Sequence, residues 1–265
     1  MAGRSDSVPA VHDTGRGDAV LFLHAYTLDA SQWDHQVAAL SGDFRCVRVD
    51  LWGCGGSPPP PAGAPSLAGY ATSVLAVLDA LEIDRCSVVG LSMGGYVAFE
   101  LWRLAPQRIR ALALCSTRPS ADDDVRRDDR LAVAARVERE HSVESIVEPM
   151  LDRLLGPAAR NEVHIADPVR GRIRRCTPDG IAFAQRAMAV RRDSGDLLER
   201  IDVPALVIAG KHDIITPVAE VHAMSGSISG ARFVELDCGH LGNLEQPHAF
   251  NEALSDLLMP AGAVR

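Results

Sequence analysis

Lysine is almost missing from this chain: Lys211 is the one lysine among 27 cationic side chains, and the rest are arginines. Carboxylates outnumber cations, 35 to 27, so the net charge is −8. No general basic field exists to hold nucleic-acid phosphates or anionic lipid, which sets both aside as partners. No apolar run reaches the roughly 18 residues needed to cross a bilayer. The opening residues 1–18 carry two arginines and no long apolar stretch, so they lack the central region of a secretory signal. These absences give the expectation of a cytoplasmic protein. The six cysteines, at 46, 54, 86, 115, 176 and 238, form no close pair. Their spacing favours neither a disulfide framework nor a zinc site, and the expectation is reduced thiols packed in the core. Aromatics are scarce at 5%, yet hydrophobic residues reach 47% and charged residues 23%. That composition excludes disordered and collagen-like classes and supplies a sizeable core. At 265 residues a single α/β core is sufficient.

Short apolar runs bounded by turn residues lie at 19–23, 46–49, 87–89, 109–115, 205–209 and 232–236. They are too short for helices and several show little alternation, the pattern of parallel strands buried on both faces. Helical patterns at 31–40, 67–81, 96–104, 218–224 and 248–259 separate them. Strand and helix therefore alternate, which predicts an α/β fold with a mostly parallel sheet flanked by helices. The alternation stops over 116–198, where amphipathic patterns, charge clusters and the breakers Gly156-Pro157 and Asp167-Pro168 appear. This stretch reads as a helical lid inserted into a core made of 1–115 and 199–265. Its mixed-sign run at 122–130 reads as a solvated helix face.

Gly90-Leu91-Ser92-Met93-Gly94-Gly95 follows a predicted strand and precedes a helical pattern, so a serine occupies a sharp strand-to-helix turn. Small residues two before and two after Ser92 let the backbone hold it in a strained conformation, with its hydroxyl beyond the sheet at a helix N-terminus. A serine nucleophile needs a base, and the base needs an orienting carboxylate. Asp213 follows the predicted strand at 205–209, and His240 follows the last strand in Asp237-Cys238-Gly239-His240. Loops beyond the carboxyl ends of strands are where open α/β sheets build their sites. Ser92, Asp213 and His240 are thus the candidate catalytic residues, in the order nucleophile, acid, base. The loop after Cys115 offers no carboxylate before Asp122, which leaves Asp213 as the acid.

With these residues the chain resembles the α/β-hydrolase superfamily over residues 8–259, and within it the 3-oxoadipate enol-lactonase-like branch of serine esterases and lactonases. The resemblance rests on Leu23-His24-Ala25-Tyr26 with Trp33 beyond, Asp50-Leu51-Trp52-Gly53-Cys54-Gly55-Gly56-Ser57, the turn at Ser92, the Asp213 loop, and Gly239-His240 with Glu245-Gln246-Pro247. The branch in particular is indicated by the Gly90–Gly95 turn and by the exit from the insertion at 188–198, where Arg191-Arg192-Asp193-Ser194 leads into Ile201-Asp202-Val203-Pro204. It implies an oxyanion hole made by the backbone N–H of Tyr26 and of Met93, the latter also indicated by the turn itself. It implies neither a metal nor an organic cofactor. Two positions depart from the family pattern: Ala25 stands where glycine usually follows the histidine, and Trp52 where arginine usually precedes the glycine. Alanine resists positive φ, and Trp52 is placed at the mouth of the site. Both join Met150, Leu154, Phe183 and Met188, on amphipathic lid segments, as candidates for the substrate pocket, although the lid residues could equally join lid to core.

The reaction so implied is hydrolysis of a carboxylic ester or lactone of a small metabolite through an acyl-enzyme. The same three residues could cleave a carbon-carbon bond in a vinylogous diketone, or pass an acyl group to an alcohol in a biosynthetic transfer or cyclisation. A ligand-binding module on the same scaffold is a reading from another class, against which the retained serine, acid and histidine speak. His24 and Asp50 read as strand ends that hydrogen-bond neighbouring loops, Cys238 as a buried thiol, and the arginines at 170, 172, 174 and 175 as solvated lid charge. The sequence is silent on oligomeric state.

Overall fold

In the computed structural model, which describes residues 8–259, the apolar runs become one sheet. Its strands are β1 (Val11–Thr14), β2 (Ala19–Leu23), β3 (Arg45–Val49), β4 (Cys86–Leu91), β5 (Ile109–Cys115), β6 (Ala205–Gly210) and β7 (Arg232–Leu236), in the order β1-β3-β2-β4-β5-β6-β7. Residues 1–7 and 260–265 lie outside the described residues; they are parts of the two expected core segments, and the first belongs to the stretch read as lacking a secretory signal. Strands β2 to β7 pair in parallel, so the chain has the expected α/β fold. Every residue of β2, β4 and β6 is buried, which is why their sequences do not alternate. Strand β1 pairs antiparallel with β3 and gave no signal, because Val-His-Asp-Thr is a short edge strand whose last three residues are exposed.

Helices α1 (Asp34–Leu40), α2 (Leu67–Ala80) and α3 (Met93–Leu104) follow β2, β3 and β4. In α2 the buried Leu67, Tyr70, Ala71, Val74, Val77 and Leu78 form one stripe, and the Ser66 side chain caps the helix by accepting from the Gly69 N–H. Between β5 and β6 the chain is helical: α4 (Asp124–Glu140), α5 (Glu144–Leu154), α6 (Val163–Arg175), α7 (Pro178–Ala189) and α8 (Gly195–Leu198). Its buried Val147, Val169, Ile173 and Ile181 are continuous with the core of the sheet. Helices α9 (Val218–Gly226), α10 (Gly242–Glu245) and α11 (Pro247–Leu258) complete the fold. No helix among the described residues is long and apolar enough to cross a membrane.

Two expectations are corrected. Cys54 and Cys176 are joined in a disulfide that ties the loop after β3 to the turn between α6 and α7, while Cys46, Cys86, Cys115 and Cys238 are buried free thiols. A separation of 122 residues hid the pair from any reading of spacing. Beside it the Thr177 N–H donates to the Gly53 carbonyl at 2.6 Å. Gly53 itself has φ +76°, and a Cβ there would lie 2.3 Å from the Gly180 Cα, so glycine is required for this close approach. Second, the 122–130 run is not simply solvated: the Asp122 side chain is 1% exposed and paired with both Arg130 and Arg191. The α6 arginines fit the reading as lid charge, Arg174 and Arg175 being exposed, and they are paired, Arg170 with Glu148 and Asp167, Arg174 with Glu144, Arg175 with Asp29, while the half-buried Arg172 donates to Ser31.

Candidate active site

Strand β2 has β3 on one side and β4 on the other, and Leu23 is opposite Gly90 in register. The winding of the sheet reverses here, so the carboxyl ends of β2 and β4 open a crevice. Ser92 stands at its edge with φ 56° and ψ −113°, a region costly for any residue but glycine. The surroundings hold it there. Its N–H donates to Cys115 O at 2.9 Å, and Thr117 Oγ1 donates to Ser92 O at 2.9 Å. A Cβ on Gly94 would lie 2.1 Å from Leu23 O, so only glycine lets α3 start against the end of β2. Met93 opens α3, and its N–H is one of those that a helix start leaves without an intrahelical acceptor.

The turn after β6 organises Asp213. Its Oδ1 accepts the N–H groups of Ile215 and Thr216 at 2.8 and 3.0 Å, Thr216 Oγ1 donates to Oδ2, and Oδ2 meets His240 Nδ1 at 2.7 Å. Both side chains of the pair are buried. Burial pushes the Asp213 carboxyl up, but the charge and hydrogen bond of His240 and the two donors of Thr216 outweigh it and hold it below the ordinary carboxylate range. An ionised carboxylate only accepts, so Nδ1 is a protonated ring nitrogen in this bond, and Nε2 is the one left for proton exchange with another group. The backbone of His240 is fixed by its N–H to Leu154 O at 3.0 Å, a residue of the helical insertion.

Ser92 and His240 line one cavity of about 160 Å³. Of the residues expected around a substrate, the structure places Tyr26, Met150, Leu154 and Met188 on its wall. Ala25, Trp52 and Phe183 are not on it. Trp52 instead stacks on Tyr70 with ring centroids 5.0 Å apart, and Phe183 meets both rings edge-on at 5.8 and 5.6 Å. These three aromatics seal the insertion to the core. Ala25 is taken up by the backbone, its N–H donating to Gln32 Oε1 and its carbonyl accepting from His24 Nδ1. The positive φ of that loop falls on Thr27, at 68°, so alanine meets no strain where glycine is usual. Sequence reading missed the polar part of the wall: Arg118, Arg126, Arg130, Arg153 and Gln185. Only the i, i+4 spacing of Arg126 and Arg130 on one helix hinted that they share a face.

The α/β-hydrolase fold family matches residues 18–247. This chain belongs to that family. The hydrolase is similar to 3-oxoadipate enol-lactonase 2 of Acinetobacter baylyi, at 27% identity over 91% of this chain and 88% of that protein. Among solved structures it is similar to a thermophilic esterase from Thermogutta terrifontis, at 36% identity and a TM-score of 0.91 over 94% and 92% of the two chains. It is also similar to the enol-lactonase from Burkholderia xenovorans LB400, at 29% identity and a TM-score of 0.87 over 94% and 96%. The resemblance to the enol-lactonase-like branch, read from the Ser92 turn and the exit from the insertion, is supported over 91% of this chain.

Other polar and thiol side chains near the site are structural. His24 Nε2 accepts the Leu51 N–H at 2.8 Å and Nδ1 donates to Ala25 O at 2.8 Å; burial lowers its pKa, so it is a neutral link between the ends of β2 and β3. Asp50 accepts the N–H groups of Ala30 and Gly56. Burial pushes the Cys238 thiol well above its ordinary range, which leaves it inert as a nucleophile. Among the described residues no group of three or more His, Cys, Asp or Glu side chains is arranged to hold a metal.

Proposed function

We propose that this hydrolase cleaves a carboxylic ester or lactone of a small metabolite through an acyl-enzyme on Ser92. The observation that carries this reading is the buried Asp213–His240 pair opening on the same cavity as a serine held at φ 56°. His240 Nε2 takes the hydroxyl proton as Ser92 Oγ attacks the carbonyl carbon, and Asp213 holds the ring and stabilises the imidazolium. The oxyanion is received by the backbone N–H groups of Met93 and Tyr26. Collapse of the tetrahedral intermediate expels the alcohol oxygen, which takes the proton from His240. His240 then draws a proton from water, the hydroxide adds to the acyl-enzyme, and the acid leaves as Ser92 recovers its proton. The similarity to an esterase and two enol-lactonases favours ester and lactone bonds over carbon-carbon bonds. The segment 116–198 acts as a lid on this reading: its Val133, Leu154 and Met188 line the same cavity as Ser92, and closing that cavity keeps bulk water from the acyl-enzyme.

The test is hydrolysis of short-chain aryl esters and small lactones by the parent and by Ser92→Ala. Turnover by the variant should fall by roughly 10⁴-fold or more, with circular dichroism and Tm unchanged. Equal turnover by the two proteins would overturn the serine mechanism.

A further inference from the structure

A chain of buried polar groups runs from the insertion to the loop after β2. Asp122, held between Arg191 and Arg130, is followed by Arg130 Nη1 donating to Gln185 Oε1 at 3.1 Å, and Gln185 Nε2 donates to the Tyr26 hydroxyl at 2.8 Å. Each link has a fixed direction. Arginine can only donate, so the Gln185 carbonyl must face Arg130 and its amide NH₂ must face Tyr26. The Tyr26 oxygen is therefore the acceptor in that bond, and its own proton has no acceptor among the described residues. Tyr26, Gln185 and Arg130 all line the cavity that holds Ser92 and His240. Burial raises the phenol pKa, and the Gln185 donor with the charges of Arg130 and Arg153 pulls it back only in part, so the group stays protonated across the neutral range. The same wall carries Arg118, Arg126, Arg130 and Arg153 with Asp129 as its one carboxylate; Glu220 and Asp122 pair with three of these arginines from outside it, so the wall offers mainly donors, a setting that favours an electron-rich oxygen over a donor group.

We infer that the Tyr26 hydroxyl is a specificity-determining donor: it hydrogen-bonds a substrate oxygen other than the scissile carbonyl, so the preferred ester or lactone carries a second acceptor. This rests on the serine-hydrolase reading above. Gln185 and Arg130 are positioning residues in this arrangement. They turn the hydroxyl proton toward the cavity, and Asp122 with Arg191 holds Arg130 in place. A charged acceptor, as in a carboxylate, and a neutral one, as in an oxo or ether oxygen, meet the same donor at Tyr26.

The experiment compares kcat/KM across matched esters of equal length that carry a carboxylate, an oxo group, or only methylenes, on the acyl side and on the alcohol side. The parent should prefer an oxygen-bearing ester over its methylene partner. Tyr26→Phe should lower that ratio by about 10- to 100-fold for a charged acceptor and about 3- to 10-fold for a neutral one. Gln185→Glu sharpens the test. A carboxylate at 185 keeps a bridge between Arg130 and Tyr26 but can only accept, so it takes the hydroxyl proton away from the cavity. It should lower the ratio as Tyr26→Phe does, whereas a merely structural bridge would leave the ratio at the parental value. A parent without preference, or a ratio unmoved in both variants, overturns the inference. Ser92→Ala run alongside separates the two readings: its loss of turnover with an unmoved ratio elsewhere overturns this inference alone, while its full activity overturns the serine mechanism beneath it.

Discussion

The sheet and the helical insertion solve the same problem, holding polar groups still, by opposite means. At the carboxyl ends of β4 and β6 the candidate reacting groups are fixed mainly by their own turns and the adjoining strand end: Asp213 by Ile215 and Thr216, Ser92 by the glycine that lets α3 begin against β2 and by Cys115 and Thr117 at the end of β5. In the insertion, polar groups are fixed by partners far apart in the chain, as with Asp122 and Arg191 or Gln185 and Tyr26. Local devices tolerate no change of residue type but leave a pattern. Distant ones leave almost none. On the function proposed above, bond cleavage belongs to the core and choice of substrate to the insertion, and that division can be broken by experiment.

The largest effect should come from the core. Asp213→Asn should slow turnover of every ester by about 10⁴-fold, by analogy with the loss measured for the same change in a serine protease, because the amide no longer fixes the Nδ1–H tautomer of His240. Steady-state kinetics on two esters with different acyl groups checks this. A loss confined to one of them would blur the division between core and insertion. Next is the aromatic seam. Phe183→Ala removes a buried ring that meets Trp52 and Tyr70 edge-on and should cost about 3 kcal/mol of stability in urea unfolding. Destabilisation under about 1 kcal/mol would mean that the insertion is held to the core elsewhere. Reduction of Cys54–Cys176, or the double change to serine, should lower Tm by about 5 to 15 °C, since the bridge closes a long loop between core and insertion. An unchanged Tm under reductant would show that the two regions stay docked without it.

The fold was legible where burial writes its own pattern. Runs such as Ala19–Leu23 and Ala205–Gly210, apolar at every position because both faces are covered, announced the parallel sheet. The edge strand Val11–Thr14 did not, since its exposed side chains obey no apolar rule. The positions of Ser92, Asp213 and His240 could be named because each falls in a loop just past a predicted strand. The cavity wall was legible only where it is apolar, at Met150, Leu154 and Met188. Arg130 and Gln185 belong to helices whose polar residues mostly face solvent, and nothing local distinguishes the one that turns inward. Trp52 and Phe183 illustrate the converse: large apolar residues near a site were read as its wall when they pack against one another. The disulfide escaped because pairing is a fact of three-dimensional proximity, not of spacing.

The smallest expected effect concerns Glu245, which spans both regions. Its Oε2 accepts the Gly156 N–H from the insertion at 3.0 Å and the Gly239 N–H beside His240 at 2.9 Å. Burial raises its pKa, and the N–H groups of Gly239, Gly156 and Leu241 with the charge of His240 do not restore it. The sign is opposite to that of Asp213. A carboxyl whose folded pKa is lowered adds stability at neutral pH and loses it as pH falls through the folded value. For Glu245, with a raised folded pKa, the unfolded chain ionises first as pH rises above about 4.3, so stability declines across the interval up to the folded value and is level beyond it. Glu245→Gln keeps an oxygen to accept both N–H groups and removes the charge. It should match or exceed the parent at pH 7 by under about 1 kcal/mol, and should flatten the decline in weak acid, read by urea unfolding from pH 4 to 7. A variant that is less stable than the parent at pH 7 and keeps the parental pH dependence would show that the ionised carboxylate itself, and not the acceptor oxygen, joins the insertion to the histidine loop.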